Sequence, residues 1–93
     1  MAKKNPLHQT HPDIVKRLRR ADGHLRNVIE MIEAGRGCLD LAQQLHAVER
    51  AITAAKKALI HDHIDNCLEQ AADATPREAR VSIDEFKEIT KYL

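Results

Sequence analysis

Apolar residues recur along this chain at alternating spacings of four and three, and that rhythm predicts two helices before any other property is considered. Ile14, Leu18, Ala21, Leu25, Val28 and Ile32 form the first run, and Leu41, Leu45, Val48, Ile52, Ala55 and Leu59 the second. Both follow the seam of a coiled-coil-like contact. Pro12 suits a first helical position and Asp13 the positive end of a helix dipole, so the first helix is predicted over residues 11–34. Gly35 and Gly37, able to take positive φ, end it. From Cys38 there is no Gly or Pro until Pro76, which predicts one long helix over 38–73, with Ile60, Ile64 and Leu68 widening its apolar side. Thr75-Pro76-Arg77-Glu78 and Ser82-Ile83-Asp84-Glu85 both fit a capping-box pattern. One C-terminal helical segment over 76–93 is expected, with Ile83, Phe86, Ile89 and Leu93 on its apolar face, packed over the end of the long helix. Residues 1–10 have little to bury and read as a mobile arm.

A second helix of roughly 50 Å is much longer than the first can cover, so part of its apolar face needs another subunit. Length points the same way, because 93 residues make a single domain of only marginal core size. The only aromatic residues are Phe86 and Tyr92, while Ala, Leu, Ile, Lys, Arg and Glu dominate, which is all-α composition. No apolar run approaches the roughly 20 residues of a membrane span, and Met-Ala-Lys-Lys-Asn-Pro has no apolar signal core behind it. A cytosolic protein without a membrane partner is expected. In that compartment two cysteines, Cys38 and Cys67, point to metal or redox chemistry rather than a structural disulfide. There is no Gly-rich phosphate loop, no Ser-His-Asp arrangement and no C-x-x-C pair. An enzyme with a small-molecule substrate is therefore not expected.

Charge changes the picture because it is uneven. Residues 1–37 carry eight Lys and Arg against four Asp and Glu, while the remainder is acidic. A basic first segment on a near-neutral protein fits a localised nucleic-acid patch, with a solvated helix face as the plain alternative.

The candidate chemistry lies in Leu59–Cys67. His63 and Cys67 are four residues apart, so on a helix they share a face and a ligand. Thiolate and imidazole donors suit Cu(I), Zn(II) or Ni(II), but two ligands do not close a site. Cys38 lies 29 residues before Cys67, roughly 43 Å along an unbroken helix. Either the helix breaks, or Cys38 meets His63 and Cys67 of a second subunit; the uninterrupted pattern favours the second. The competing reading is two small buried cysteines and a core histidine. His61 lies about 200° round the helix from His63 and points away from such a site. Asp62, Asp65 and Asn66 read as outer polar groups, and His24 and His46 as packing or hydrogen-bonding residues.

Taken together, Val15-Lys16-Arg17-Leu18-Arg19-Arg20-Ala21-Asp22-Gly23-His24-Leu25, Cys38, Leu41-Ala42-Gln43-Gln44-Leu45-His46-Ala47-Val48, Asp62-His63-Ile64 and Cys67 resemble the CsoR/RcnR/FrmR family of bacterial metal- and stress-responsive repressors. The resemblance covers nearly the whole chain. It implies a three-helix protomer, an antiparallel four-helix core in the dimer, and a disc-like homotetramer built as a dimer of dimers. It also implies that Cys38 of one protomer meets His63 and Cys67 of its partner, with one metal ion per protomer at the subunit interface. Operator DNA would be held without a helix-turn-helix, through Lys16, Arg17, Arg19, Arg20 and Arg26, and more weakly through Arg50, Lys56 and Lys57. Metal binding would release it allosterically and derepress efflux or detoxification genes.

The signal is less sharply written. Two thiolates and an imidazole suit trigonal Cu(I), although many copper members place a tyrosine directly before the first cysteine, where this chain has Gly37. Nickel and cobalt members recruit further nitrogen donors, often from the N-terminal arm, and His8 or His11 would be the donor for Ni(II) or Co(II). A persulfide sensor would use Cys38 and Cys67 alone. The formaldehyde members need a proline after the initiator methionine, where Ala2 stands here.

Overall fold

The structure, a computed structural model, describes residues 10–73 and 75–93, the side chains of Cys67, Gln70, Ala71 and Asp73 excepted. The arm expected over residues 1–10 lies outside the described residues except for Thr10, and His8 lies outside them with it. Among the described residues the chain is wholly helical. Helix α1 spans His11–Glu33, α2 Cys38–Asp73 and α3 Pro76–Ile89, followed by a 3-10 turn over Thr90–Tyr92.

The ends of the helices follow from local chemistry. Gly35 has a φ of +76°, its N–H donates to the Ile32 carbonyl, and the Arg36 N–H donates to the Met31 carbonyl, both at 3.0 Å. This pair of bonds closes α1 as a Schellman motif, for which glycine in the left-handed region is the ordinary solution. Gly37 was expected to act the same way but does not. Its carbonyl accepts from the Leu41 N–H at 3.0 Å, which makes it the N-cap of α2. Of the two capping-box patterns only the first forms. Thr75 Oγ1 accepts from the Glu78 N–H, and Glu78 Oε2 accepts from the Thr75 N–H, each at 3.2 Å, with Pro76 in the first turn. Ser82 instead lies inside the continuous α3.

Two compact units divide the chain, one of Pro12–Ala55 and the other containing Lys56–Leu93, and α2 contributes to both. In the first, the short Gly35–Gly37 turn folds α1 back on α2. Its core takes every second member of each apolar seam: Ile14, Ala21 and Val28 on α1, with Val48 and Ala55 on α2. Val28 is fully buried and Val48 is 4% exposed. The alternate members Leu18, Ile32, Leu45 and Ile52 stay exposed, Ile52 at 45%. One hairpin thus covers half of its own seam, and a second apolar row runs beside the first at a spacing of seven.

In the second unit, Ile60 is buried and Ile64 half-buried, whereas Leu68 is exposed. The face of α3 differs from the one expected. Phe86 and Ile89 are half-buried as anticipated, but Ala79 and Ser82 share their strip while Ile83 and Leu93 are exposed. Three-and-four spacing back from Phe86 reaches Ser82 and Ala79, so the covered row continues through small residues where the sequence offered Ile83.

Candidate metal centre and nucleic-acid face

Cys38 is the first residue of α2 and is exposed. The Gly37 cap fixes where the helix begins, and Arg36 pairs with Asp40 across the cysteine. His63, farther along the same helix, is half-buried, with 35% of its side chain exposed. Its Nε2 lies 3.4 Å from Glu85 Oε2 on α3. A carboxylate beside Nε2 favours the proton on that atom and leaves the Nδ1 lone pair as the donor for a ligand. Cys67 follows one turn later in α2, and its side chain is outside the described set.

Cys38 and His63 are 25 positions apart within α2. Among the described residues no three His, Cys, Asp or Glu side chains converge as a metal-binding group. The donor set itself still fits a soft or borderline ion, because an accessible thiol and an oriented imidazole are both present.

The remaining polar residues fall into place around these. His61 is exposed, Asp65 is exposed, and Asp62 and Asn66 are half-buried. His11 is half-buried at the start of α1. His46, expected to pack or to hydrogen-bond, does not pack: its side chain is 66% exposed, with Nδ1 at 3.7 Å from Glu49 Oε1 on the same helix. Its position falls outside the buried row set by Val48 and Ala55.

On α1, Lys16, Arg17, Arg19, Arg20 and Arg26 are all exposed. Arg26 is 3.3 Å from Asp22, a solvent-exposed i, i+4 pair worth little to stability. Lys16, Arg17 and Arg20 behave differently. With Asp13 and His24 they border a recess of about 640 Å³ whose remaining walls are Ala21, Ala51 and Ala54. Beside it, His24 Nε2 donates to Gln44 Oε1 at 2.7 Å, joining α1 to α2. Arg50, Lys56 and Lys57 are exposed on α2. No helix among the described residues is long and apolar enough to cross a membrane.

Sequence reading missed two residues. Glu85 was visible only as the end of a capping-box pattern, and Gln44 only as part of a family-like string. Neither carries a sequence signal of its own, since each acquires its role from the register between two helices.

Several known proteins are similar in sequence to this chain. The copper-sensing transcriptional repressor CsoR of Bacillus subtilis is 34% identical over 80 residues, covering 84% of this chain and 79% of that protein. CsoR of Mycobacterium ulcerans is 31% identical over 78 residues, covering 84% of this chain and 65% of its own length. The copper-sensing repressor RicR of Mycobacterium tuberculosis is 33% identical over 63 residues, which covers 68% of this chain and 66% of that one. The chain therefore spans about two thirds of the length of these mycobacterial relatives. No solved structure matches it at significance. The profile described as "Metal-sensitive transcriptional repressor" matches residues 10–92. That span takes in the basic segment of α1, Cys38, the His63–Glu85 contact and all three helices, and the chain belongs to the family of metal-sensitive transcriptional repressors.

Proposed function

We propose that this chain is a cytoplasmic, non-enzymatic repressor that holds operator DNA in its metal-free state and releases it on binding Cu(I). The observation that carries the reading is His63, whose Nε2 is engaged by Glu85 while α2 runs unbroken back to an exposed Cys38. A site using these donors is completed between protomers, Cys38 from one and His63 with Cys67 from its partner. The exposed half of the apolar seam supports such an assembly, since Leu18, Ile32, Leu45 and Ile52 supply a second row for a four-helix core. Two such dimers would make the tetramer.

Copper is favoured over Ni(II) or Co(II) on two grounds. Two thiolates and one imidazole are a soft donor set, and the curated relatives are named as copper sensors. When bound, the ion supplies a link between the α2 helices of two protomers. Glu85 orients the imidazole, and Lys16, Arg17, Arg19, Arg20 and Arg26 contact phosphate, which gives salt-dependent affinity. Switching requires that the metal-bound arrangement disfavour DNA by a coupling free energy, typically about 1–3 kcal/mol per ligand.

The test is an anaerobic titration of the reduced protein with Cu(I), Ni(II) and Co(II) separately, each against a competing chelator, with DNA release read in parallel. Tight Cu(I) binding that is lost in Cys38→Ala and in His63→Ala, with release of DNA, is the expected result. Tight Ni(II) or Co(II) binding that weakens in His8→Ala or His11→Ala would replace copper. If no metal binds tightly and an intersubunit disulfide or polysulfide forms between Cys38 and Cys67, the protein is a reactive-sulfur sensor.

A further inference from the structure

The hydrogen bond between His24 and Gln44 ties α1 to α2 at a level where alanines make the apolar contact. Nε2 of His24 donates to Oε1 of Gln44 at 2.7 Å, part-buried, across 20 positions of sequence. His24 borders the same recess as Ala21 of α1 and Ala51 and Ala54 of α2. An alanine presents a single methyl group, so a small rotation of α1 against α2 changes little apolar burial here. The hydrogen bond is far more sensitive to that rotation. Side-chain tips lie about 5–6 Å from a helix axis, so a turn of about 20° carries one by about 2 Å and takes the bond beyond hydrogen-bonding distance. Of the two kinds of contact, the bond is the one that distinguishes one rotation from another.

Its place on the two helices gives that selectivity a use. Gln44 follows Cys38 by six positions on α2, roughly 9 Å along the helix. His24 follows Arg20 by four positions on α1 and Arg17 by seven, so the three share a face. Cys38, Gln44, His24 and both arginines belong to the one compact unit Pro12–Ala55. A ligand that ties Cys38 to a second protomer displaces the start of α2, and the displacement reaches His24 through less than two turns of helix.

We propose that the His24–Gln44 bond is the joint through which metal binding at the start of α2 resets the DNA-contacting face of α1. The bonded rotation sets Lys16, Arg17 and Arg20 along one recess and is the DNA-holding arrangement. Metal binding favours a rotation in which the bond is broken. The joint rests on the metal-responsive repressor reading above and adds two positioning residues to it, since His24 and Gln44 act through the orientation of α1 and not on the ion. Losing the bond tilts the equilibrium toward release, so less metal is needed to free the DNA.

The experiment uses the full-length reduced protein under anaerobic conditions and a duplex selected from a random-sequence pool on the protein kept metal-free with a chelator. Buffered free Cu(I) is raised at saturating duplex until half is released, for the wild type, His24→Leu, Gln44→Leu, the double variant and the conservative His24→Gln. The backbone amide resonances of residues 15–22 are followed in parallel. Each leucine variant should need about three- to tenfold less Cu(I) than the wild type, the worth of one hydrogen bond. The double variant should match the singles, because both remove the same bond, and His24→Gln, whose amide can donate to Gln44 Oε1, should recover the wild-type value. The amides of residues 15–22 should move when Cu(I) is added to the wild type, and in Gln44→Leu should already be displaced toward the metal-bound positions. A change in fold stability alone moves neither readout in this way. Should a leucine variant lose helicity, Gln44→Asn breaks the bond with the polarity kept. Folded variants that need as much Cu(I) as the wild type overturn the joint and leave the repressor reading intact, as do single effects that add in the double variant or wild-type α1 amides indifferent to Cu(I). If Cu(I) releases no duplex from the wild type, the copper-repressor reading fails and the joint falls with it.

Discussion

Ile52 and Val48 lie one turn apart on α2, belong to the same apolar seam, and should respond in opposite ways to the same substitution. Val48 is 4% exposed and packs inside its own hairpin, whereas Ile52 is 45% exposed. A carboxylate at position 48 is buried without a partner. The penalty of several kcal/mol, added to the lost burial of the valine, is comparable to the 5–15 kcal/mol that holds a small domain folded. A carboxylate at 52 keeps its access to water in a lone hairpin. There it forfeits only the half of the isoleucine that is covered, about 1 kcal/mol. Where two copies place their exposed rows together, Ile52→Glu buries one carboxylate from each. At about 3 kcal/mol or more apiece, the dimer dissociation constant rises at least about 10⁴-fold. Sedimentation equilibrium and far-UV circular dichroism over a range of concentrations separate the two cases. Val48→Glu should lose helicity at every concentration, while Ile52→Glu should sediment as a smaller species. If the separated hairpin is too weak to persist alone, Ile52→Glu helicity will instead rise with concentration. An Ile52→Glu protein that sediments and folds as the wild type would refute the assignment of this row to self-association.

Other substitutions probe the remaining elements. Glu85→Gln removes the carboxylate beside His63 Nε2 and should weaken metal binding about 10- to 100-fold in a chelator competition while leaving helicity unchanged. Gly35→Ala forces a side chain into a φ of +76° and should cost about 1 kcal/mol in denaturant unfolding, although nothing crowds the added methyl group. Thr75→Ala removes one half of the capping box and should destabilise α3 by about 1 kcal/mol, with amide exchange accelerating first at Glu78.

The helices were legible in the chain because periodicity and breakers act locally. The four-three rhythm marks α1 and α2, Pro76 and Thr75 mark the start of α3, and each signal depends on neighbours within a turn or two. The ligand candidates were legible for a related reason. Cysteine and histidine are few, and helical spacing alone places His63 and Cys67 on one side. The family was legible because its signature combines those donors with the basic segment of α1.

What periodicity does not contain is the rotation of one helix against another. Both members of each seam look equally apolar in sequence, yet packing buries Ile14, Ala21, Val28, Val48 and Ala55 and leaves Leu18, Ile32, Leu45 and Ile52 exposed. The same rotation turned Ser82 inward instead of Ile83, left His46 exposed, and brought Glu85 to His63 and Gln44 to His24. These contacts join residues 20 or more positions apart, and their geometry depends on crossing angle and register. The sequence by itself determined which segments are helical and which side chains are candidates to hold an ion or contact DNA. The tertiary structure decided which face of each helix is spent inside the protomer, and therefore which polar groups hold the two histidines in place.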